Sequence, residues 1–295
     1  MALMPFDDRD GSIWINGEMI PWREAKSHTL SHGLHYASTV FEGERVYSGV
    51  IFKGREHTER LRRSCEMLDF ELPLSDDALD AAKMAVVEAN GIVDGYVRAF
   101  AWRGSEMMAI SAQHTTTHVA IAAWEWPSYF DPETKMRGIT LDIADWKRPS
   151  PESAPVHAKA AGLYMICTLS KHAAEKKGFQ DALMLDYRGY LAEATGANVF
   201  FVDKEDTIHT PIADCFLDGI TRRTVIALAE SLQIKVVQRH LTLDDLSEMT
   251  ECFLTGTAAE VTPVSQIGDT SFTPGDISRQ LVDGYENLVR GRIAP

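Results

Sequence analysis

Lys159 stands among small, uncharged residues in Ala158-Lys-Ala-Ala-Gly-Leu-Tyr164, with a tyrosine closing the segment near the middle of the 295-residue chain. A lysine that attacks a carbonyl must spend part of its cycle as the free amine, and neighbours without charge favour that form. Lys159 is therefore the first candidate nucleophile. Read alone, the segment equally suits a surface lysine at the start of a helix. The deciding residues lie elsewhere.

Two glycine-containing turns are suited to an anion. Leu217-Asp-Gly-Ile-Thr-Arg222 runs from a glycine turn into a helix. Its first backbone N–H groups and the Thr221 hydroxyl can therefore converge on a phosphate at the positive end of the helix dipole. Thr255-Gly-Thr-Ala-Ala-Glu260 offers a second such turn. Each also reads as an ordinary cap. No Walker-type lysine motif and no Gly-x-Gly-x-x-Gly accompanies them, so nucleotide binding is not the natural reading. His28, His32 and His35 form a histidine cluster, but no Asp, Glu or Cys joins them at a recognised ligand spacing, and no metal is expected.

Around these residues the composition, 45% hydrophobic and 24% charged, is that of a soluble globular protein long enough for two cores. Acidic residues outnumber basic ones by 43 to 29, and the resulting charge of −14 argues against a nucleic-acid surface, which would show clustered Lys and Arg. Small anions must then be held by local sites. Cys65, Cys167, Cys215 and Cys252 form no Cys-x-x-Cys pair, which fits a reduced cytoplasm and indicates neither zinc nor a disulfide framework. The acidic stretch Met1–Asp10 has no apolar core and no apolar run approaches membrane-spanning length, so neither secretion nor membrane insertion is expected.

The elements that must carry these residues fall into two parts. In residues 1–127, Ser12–Asn16 and Glu18–Ile20 read as a hairpin about Gly17. His57–Leu68 and Asp76–Ala89 show helical spacing, and Tyr96–Trp102 and His118–Trp126 read as strands, giving a small α/β domain. Pro127–Lys135, with two prolines, suits a connecting loop, and residues 128–136 are taken as the interdomain segment. Residues 137–295 form the larger domain. Strands are expected at Gly138–Trp146, Asp181–Asp186, Ala197–Asp203, Thr207–Thr210, Ile234–His240 and Glu251–Thr255, with helices at Gly162–Lys177 and Ile220–Gln233. Strands occur both in adjacent pairs and separated by helices, so the class is α+β, with layers or a distorted barrel in place of a doubly wound parallel sheet.

Taken together, six spaced segments resemble the class IV pyridoxal-phosphate aminotransferases (fold type IV), and most of all the branched-chain amino acid aminotransferases. They are Ser31-His-Gly-Leu-His-Tyr-Ala-Ser-Thr-Val-Phe-Glu-Gly43, Glu56-His-Thr-Glu-Arg-Leu61, His157-Ala-Lys-Ala-Ala-Gly-Leu-Tyr164, Leu191-Ala-Glu-Ala-Thr-Gly-Ala-Asn-Val-Phe200, Leu217–Arg222 and Thr255-Gly-Thr-Ala-Ala-Glu-Val-Thr-Pro263, and Tyr96-Val-Arg98 adds to them. The resemblance covers nearly the whole chain. It implies a small N-terminal α/β domain, a larger C-terminal pseudo-barrel α/β domain, and pyridoxal 5′-phosphate between them.

By the same resemblance, Lys159 carries the cofactor covalently and, once displaced, moves the substrate proton. Glu193 lies against the pyridine nitrogen and keeps it protonated. Tyr164 hydrogen-bonds the phenolic oxygen. Arg60, the amides of Ile220 and Thr221 and the Thr257 hydroxyl hold the phosphate, although Arg60-Leu-Arg-Arg63 on its own reads as an exposed basic helix face. Tyr36, Phe41, Gly43, Trp126 and Tyr129 belong to the substrate pocket, and Tyr96 with the Thr257 and Ala258 amides takes the α-carboxylate. Arg98, with Tyr36 and Tyr129, admits the γ-carboxylate of glutamate to a pocket that otherwise accepts aliphatic side chains.

Relatives acting on D-amino acids place an Arg-x-His trap after this strand, whereas Gly104-Ser-Glu-Met-Met-Ala-Ile-Ser111 holds no basic residue and also lacks the glycine-rich character usual in branched-chain enzymes. The implied protein is a cytoplasmic homodimer or larger homo-oligomer. It exchanges an amino group between a branched-chain L-amino acid and 2-oxoglutarate, with small amino and oxo acids as its partners. Open alternatives are a D-amino acid or (R)-amine transaminase, an aminodeoxychorismate lyase of the same fold, and a catalytically silent relative.

Overall fold

The computed structural model describes residues 5–126 and 135–293. Its contacts group the chain into two units, Met1–Pro127 with Ala158–Gly162, and Ser128–His157 with Leu163–Pro295.

The first unit is an antiparallel sheet with two long helices. Strands β1 (Ser12–Ile15) and β2 (Glu18–Pro21) turn at Asn16-Gly17, where φ is +52° and +105°. Left-handed backbone at both central residues is what a two-residue hairpin loop needs to match strand twist, and Asn-Gly supplies it at little steric cost. A single turn, α1 (His32–His35), precedes β3 (Thr39–Phe41), β4 (Glu44–Tyr47) and β5 (Val50–Ile51). Helix α2 (Gly54–Met67) follows, then α3 (Asp76–Ala89), whose N-terminus is capped by Ser75 accepting from the Ala78 amide at 3.2 Å. Strands β6 (Gly95–Arg103) and β7 (Thr117–Glu125) complete the order β2-β1-β7-β6-β4-β5, with β3 also paired to β6. Along β6 the buried Val97, Ala99, Ala101 and Arg103 alternate with Arg98, Phe100 and Trp102, so one face lies under the helices and the other carries Arg98.

In the second unit, β8 (Ile139–Ile143) leads through a 3₁₀ turn at Ala161–Tyr164 into α4 (Met165–Lys176). Then come β9 (Asp181–Leu185), β10 (Leu191–Ala194), β11 (Asn198–Asp203), β12 (Ile208–Thr210), α5 (Ile220–Ser231) and β13 (Val236–Gln238). The unit ends with β14 (Met249–Gly256), β15 (Glu260–Ile267), β16 (Thr270–Ser271) and α6 (Asp276–Val289). The order β10-β9-β8-β15-β14-β11 closes on itself because β10 also pairs with β11, at Glu193↔Asn198. A closed barrel leaves those six strands without an open edge. Leu141, Leu183, Leu191, Val199, Leu254 and Val264, one from each strand of the ring, share the enclosed apolar core. Phe200 and Phe253 stack at 5.0 Å on the outer face, where α5 and α6 pack.

The expected distorted barrel is therefore present. The strand expected over Gly138–Trp146 is confined to Ile139–Ile143 and that over Ile234–His240 to Val236–Gln238. Helices α1 and α6 and strands β3 to β5, β10, β15 and β16 lie outside the elements expected from the sequence. The loop at Pro127–Lys135 lies outside the described residues except for Lys135. All four cysteines are buried thiols.

Lys83, in α3, is 1% exposed and donates to Glu44 (2.8 Å), Thr58 Oγ1 (2.7 Å) and the Gly54 carbonyl (2.9 Å). Burial raises the Glu44 carboxyl above its ordinary range against the pull of Lys83. Removing one member of a buried pair leaves the other charge uncompensated, so Lys83→Met is expected to destabilise the fold by about 3–5 kcal/mol. Adding Glu44→Leu is expected to recover most of that loss. Denaturant unfolding of the two variants checks both, and a double variant no more stable than Lys83→Met would contradict the argument.

Candidate active site

In the first unit, the backbone of Lys159 is held on both sides. Its N–H donates to Ser64 Oγ at 3.0 Å and its carbonyl accepts from the Phe41 amide at 3.0 Å, while Ala160 bridges to Val40. The side chain is half-buried, with Nζ 5.2 Å from the centre of the Phe41 ring. The Arg98 guanidinium carbon lies 4.6 Å from the same ring and Nη2 donates to Tyr96 Oη at 3.4 Å. A candidate nucleophile and a cation thus border one aromatic ring, Phe41, in a partly dehydrated setting.

Tyr96 is buried and packs on Trp124 and Trp126, at 5.3 and 5.4 Å between ring centres. Its hydroxyl occupies the space beside Gly43, where an added Cβ would stand 1.8 Å from the oxygen. Gly43 is therefore required by close approach. Tyr36 caps α1, is 47% exposed and stacks on His32 at 4.7 Å. Tyr129 lies outside the described residues. His32 uses its two ring nitrogens on Ser38 Oγ (2.8 Å) and the Ala109 carbonyl (3.0 Å), which accounts for it structurally.

Arg60 is buried, not part of an exposed basic face. Its neighbours Arg62 and Arg63 instead pair with Asp76 and Glu59. The Arg60 Nε and Nη2 donate to Glu42 Oε1 (2.6 Å) and Oε2 (2.8 Å), and His57 Nδ1 donates to the same Oε2 at 2.6 Å. Burial pushes the Glu42 carboxyl up, but Arg60 above all, with His57, more than offsets this and holds it well below the ordinary carboxylate range.

In the second unit, Glu193 sits at the barrel's closing pair, just after an irregularity in the β10–β9 register between Leu191 and Glu193. A bulge re-aims the following side chain. Glu193 Oε1 is 3.3 Å from Arg148 Nε, and Asn198 Nδ2 donates to Glu193 Oε2 at 3.4 Å and to the Leu217 carbonyl at 3.0 Å. Arg148, almost wholly buried, also donates to the Leu163 carbonyl beside Tyr164 at 3.4 Å. Two basic or amide groups thus hold one carboxylate.

Helix α5 starts from Gly219 in an extended conformation without a side-chain cap, so the amides of its first turn, at Ile220 and Thr221, have no acceptor within the helix. An added Cβ on Gly219 would stand 2.2 Å from Asn198 Oδ1, so this glycine permits the loop to close on Asn198. Thr257 and Ala258 occupy the tight β14–β15 turn, which ends at Glu260 with φ +54°. Asp186, Asp214 and Cys215 also converge, but Arg188 bonds both carboxylates at 2.7 and 2.9 Å, which gives them a cation partner already.

Glu42, His57, Ser64, Arg148 and Asn198 support the candidate residues without having been assigned roles from the sequence. Glu42, His57 and Asn198 lie inside the matching segments. Arg148 carries no local signal in Asp145-Trp-Lys-Arg-Pro149.

Comparison with known proteins places the chain in a family. The model of the family described as amino-transferase class IV matches residues 39–267. A probable branched-chain-amino-acid aminotransferase of Rickettsia felis is 42% identical over 294 residues, covering 98% of this chain and 100% of that one. The T.th. branched-chain amino acid aminotransferase with pyridoxamine 5′-phosphate superposes with a TM-score of 0.93 at 37% identity, covering 97% of this chain and 96% of that one. The same enzyme complexed with N-(5′-phosphopyridoxyl)-L-glutamate gives 0.92 at 36%, with the same coverage. This chain belongs to the class IV aminotransferase family.

Because a methyl group at position 43 cannot coexist with the Tyr96 hydroxyl, Gly43→Ala must displace Tyr96. If Tyr96 positions substrate, its misplacement by about 1 Å costs on the order of 10²-fold in kcat/KM, more than the lowered melting temperature from the forced repacking accounts for. Steady-state kinetics beside a thermal melt checks this; full activity would show that Tyr96 does not position substrate.

Proposed function

We propose that the protein is a pyridoxal-phosphate-dependent branched-chain amino acid aminotransferase, exchanging the amino group of a branched L-amino acid with 2-oxoglutarate to give the branched 2-oxo acid and L-glutamate. The observation that carries this reading is the shared environment of Lys159 and Arg98 about Phe41. Both an amine and a cation of the kind that binds carboxylates border the same apolar ring. The names of the similar enzymes and their cofactor and glutamate complexes support it.

The residues fit the cofactor. In the second unit a phosphate matches the uncapped start of α5 at Ile220 and Thr221, and a pyridinium matches the carboxylate of Glu193 held by Arg148 and Asn198; the reading assigns Arg60 and Thr257 to the phosphate as well. When bound, the cofactor supplies the carbonyl that condenses with an amino group and a ring that accepts the electron pair left on the substrate's Cα. Lys159 Nζ holds the cofactor at rest and, once displaced, takes the proton from Cα. Glu193 keeps the proton on the ring nitrogen, and Tyr164 orients the ring through its phenolic oxygen. Tyr96, with the Thr257 and Ala258 amides, binds the α-carboxylate. Tyr36, Phe41, Gly43, Trp126 and Tyr129 enclose the side chain, and Arg98 receives the γ-carboxylate of glutamate. The absence of a basic residue from Gly104–Ser111 favours L- over D-substrates.

The reading divides the chain into residues 1–127, the connecting 128–136 and 137–295. It includes assembly into a homodimer or larger homo-oligomer, supported by the exposed apolar Leu34, Met108 and Ile110, and a cytoplasmic setting, supported by the reduced cysteines. Among the described residues no helix is long and apolar enough to cross a membrane.

Borohydride reduction of the yellow protein is expected to fix the cofactor to Lys159, found by peptide mapping; an adduct on another lysine, or none, overturns the mechanism. Assays with 2-oxoglutarate and a panel of donors should rank Val, Leu and Ile first.

The dual pocket makes a separate prediction. Arg98→Leu removes a charge-assisted bond from glutamate and 2-oxoglutarate, a loss of about 2–4 kcal/mol, while leucine loses no charge partner. Single-turnover half-reactions with glutamate and with leucine isolate the effect. Equal loss on both would assign Arg98 to the α-carboxylate or to the site as a whole.

A further inference from the structure

Glu42 is 0% exposed, and each of its oxygens is engaged: Oε1 by Arg60 Nε, and Oε2 by both Arg60 Nη2 and His57 Nδ1. A carboxylate in this position accepts and does not donate, so His57 must carry a proton on Nδ1. His57 and Arg60 are one turn apart on the same face of α2, and Ser64, one further turn along, holds the Lys159 amide. Glu42 comes from the other side, between Phe41, which bonds the Lys159 carbonyl, and Gly43, which accommodates Tyr96. One helix face and one three-residue segment therefore fix Lys159 and Arg60 together.

Arg60 is grasped through its Nε/Nη2 edge, a two-point contact that sets the plane of the guanidinium as well as its position. A single-point contact would leave rotation about the last side-chain torsions. His57 adds a second fixed donor to the carboxylate, so the carboxylate plane cannot turn without losing a bond to the helix.

Resting on the reading that Arg60 holds the cofactor's 5′-phosphate, we propose that Glu42 and His57 are positioning residues. His57 locks the Glu42 carboxylate, and Glu42 in turn presets the Arg60 guanidinium for a phosphate dianion before the cofactor arrives. This differs from simple charge compensation, because a counter-charge alone would lower the attraction of Arg60 for an anion and gain nothing from His57.

The test compares two ligands on the full-length chain stripped of cofactor: pyridoxal 5′-phosphate and pyridoxal, which lacks the phosphate. Affinity is read from tryptophan fluorescence quenching and from the absorbance of the bound form. Glu42→Gln is expected to weaken pyridoxal 5′-phosphate about 10–100-fold, by analogy with the loss in metal affinity when the outer partner of a metal-ligating side chain is removed, and to leave pyridoxal unchanged. His57→Phe should show the same phosphate-selective loss, and His57→Asn, whose amide donates where Nδ1 did, should restore the affinity. In an Arg60→Leu background, Glu42→Gln should cost nothing further.

Equal weakening of both ligands, or undiminished affinity for pyridoxal 5′-phosphate in Glu42→Gln and His57→Phe, would overturn the proposal and leave Glu42 a structural counter-charge. If Glu42→Gln does not fold, the His57→Phe and His57→Asn pair decides alone. A distinct result, Arg60→Leu without phosphate-selective loss, would remove Arg60 from the phosphate and take the positioning role with it.

Discussion

A lysine that must attack, let go and then carry a proton needs a mobile side chain on an immobile backbone. In this chain that constraint is met by two hydrogen bonds of 3.0 Å, Lys159 N–H to Ser64 and Phe41 N–H to the Lys159 carbonyl. Ser64 belongs to α2 and Phe41 to β3, so the backbone of the candidate nucleophile is tied to a helix and a strand at once. Much of the first unit serves this arrangement. β6 anchors β3 and presents Tyr96 and Arg98 on the face opposite the helices, and α3, with its buried Lys83, supports α2 from behind through Thr58.

The second unit solves a different problem, holding the Glu193 carboxylate in place at the seam of a largely apolar barrel. Closure of the ring occurs at the pair Glu193↔Asn198, which places carboxylate and amide side by side by strand register. The register irregularity before Glu193 turns its side chain out of the strict alternation, and Arg148 arrives from the segment after β8. Asn198 then links the carboxylate to Leu217, two residues before Gly219, from which α5 begins. The same amide side chain thus couples the barrel's seam to the helix start, and Gly219 is small because Asn198 fills the space its Cβ would need.

Much of this was legible in the residues because the chemistry is concentrated in short segments. Lys159 and the Gly219 turn stand out as candidates by residue type, the resemblance of the spaced segments selects them and adds Glu193, and the long elements α3, β6 and β7 follow from periodicity almost to the residue. What escaped notice did so for physical reasons. Strands β3 to β5 are two to four residues long, too short to show alternation, and take their structure from pairing with β6 and with each other. Arg148 lies in an irregular segment, where charge alone predicts exposure. Arg60 is set apart from Arg62 and Arg63 only by the resemblance, because the carboxylate that buries it is 18 residues away and the pairing exists only in three dimensions.

The distribution of charge explains how a chain of −14 can serve anionic substrates. An overall negative field disfavours the approach of carboxylates and phosphate, so binding must come from cations and dipoles that the local structure holds fixed. Arg60 and Arg98 lie in or against apolar surroundings, where the effective dielectric is lower than in water and a charge-assisted bond is correspondingly stronger. Many of the remaining basic residues are spent on surface pairs, such as Arg23 with Asp8 and Asp10 or Lys204 with Glu248, whose exposure leaves them little to offer an anion. Cations set singly into the fold can engage one or two oxygens each, and the net charge of −14 provides no extended positive field to attract a longer polyanion.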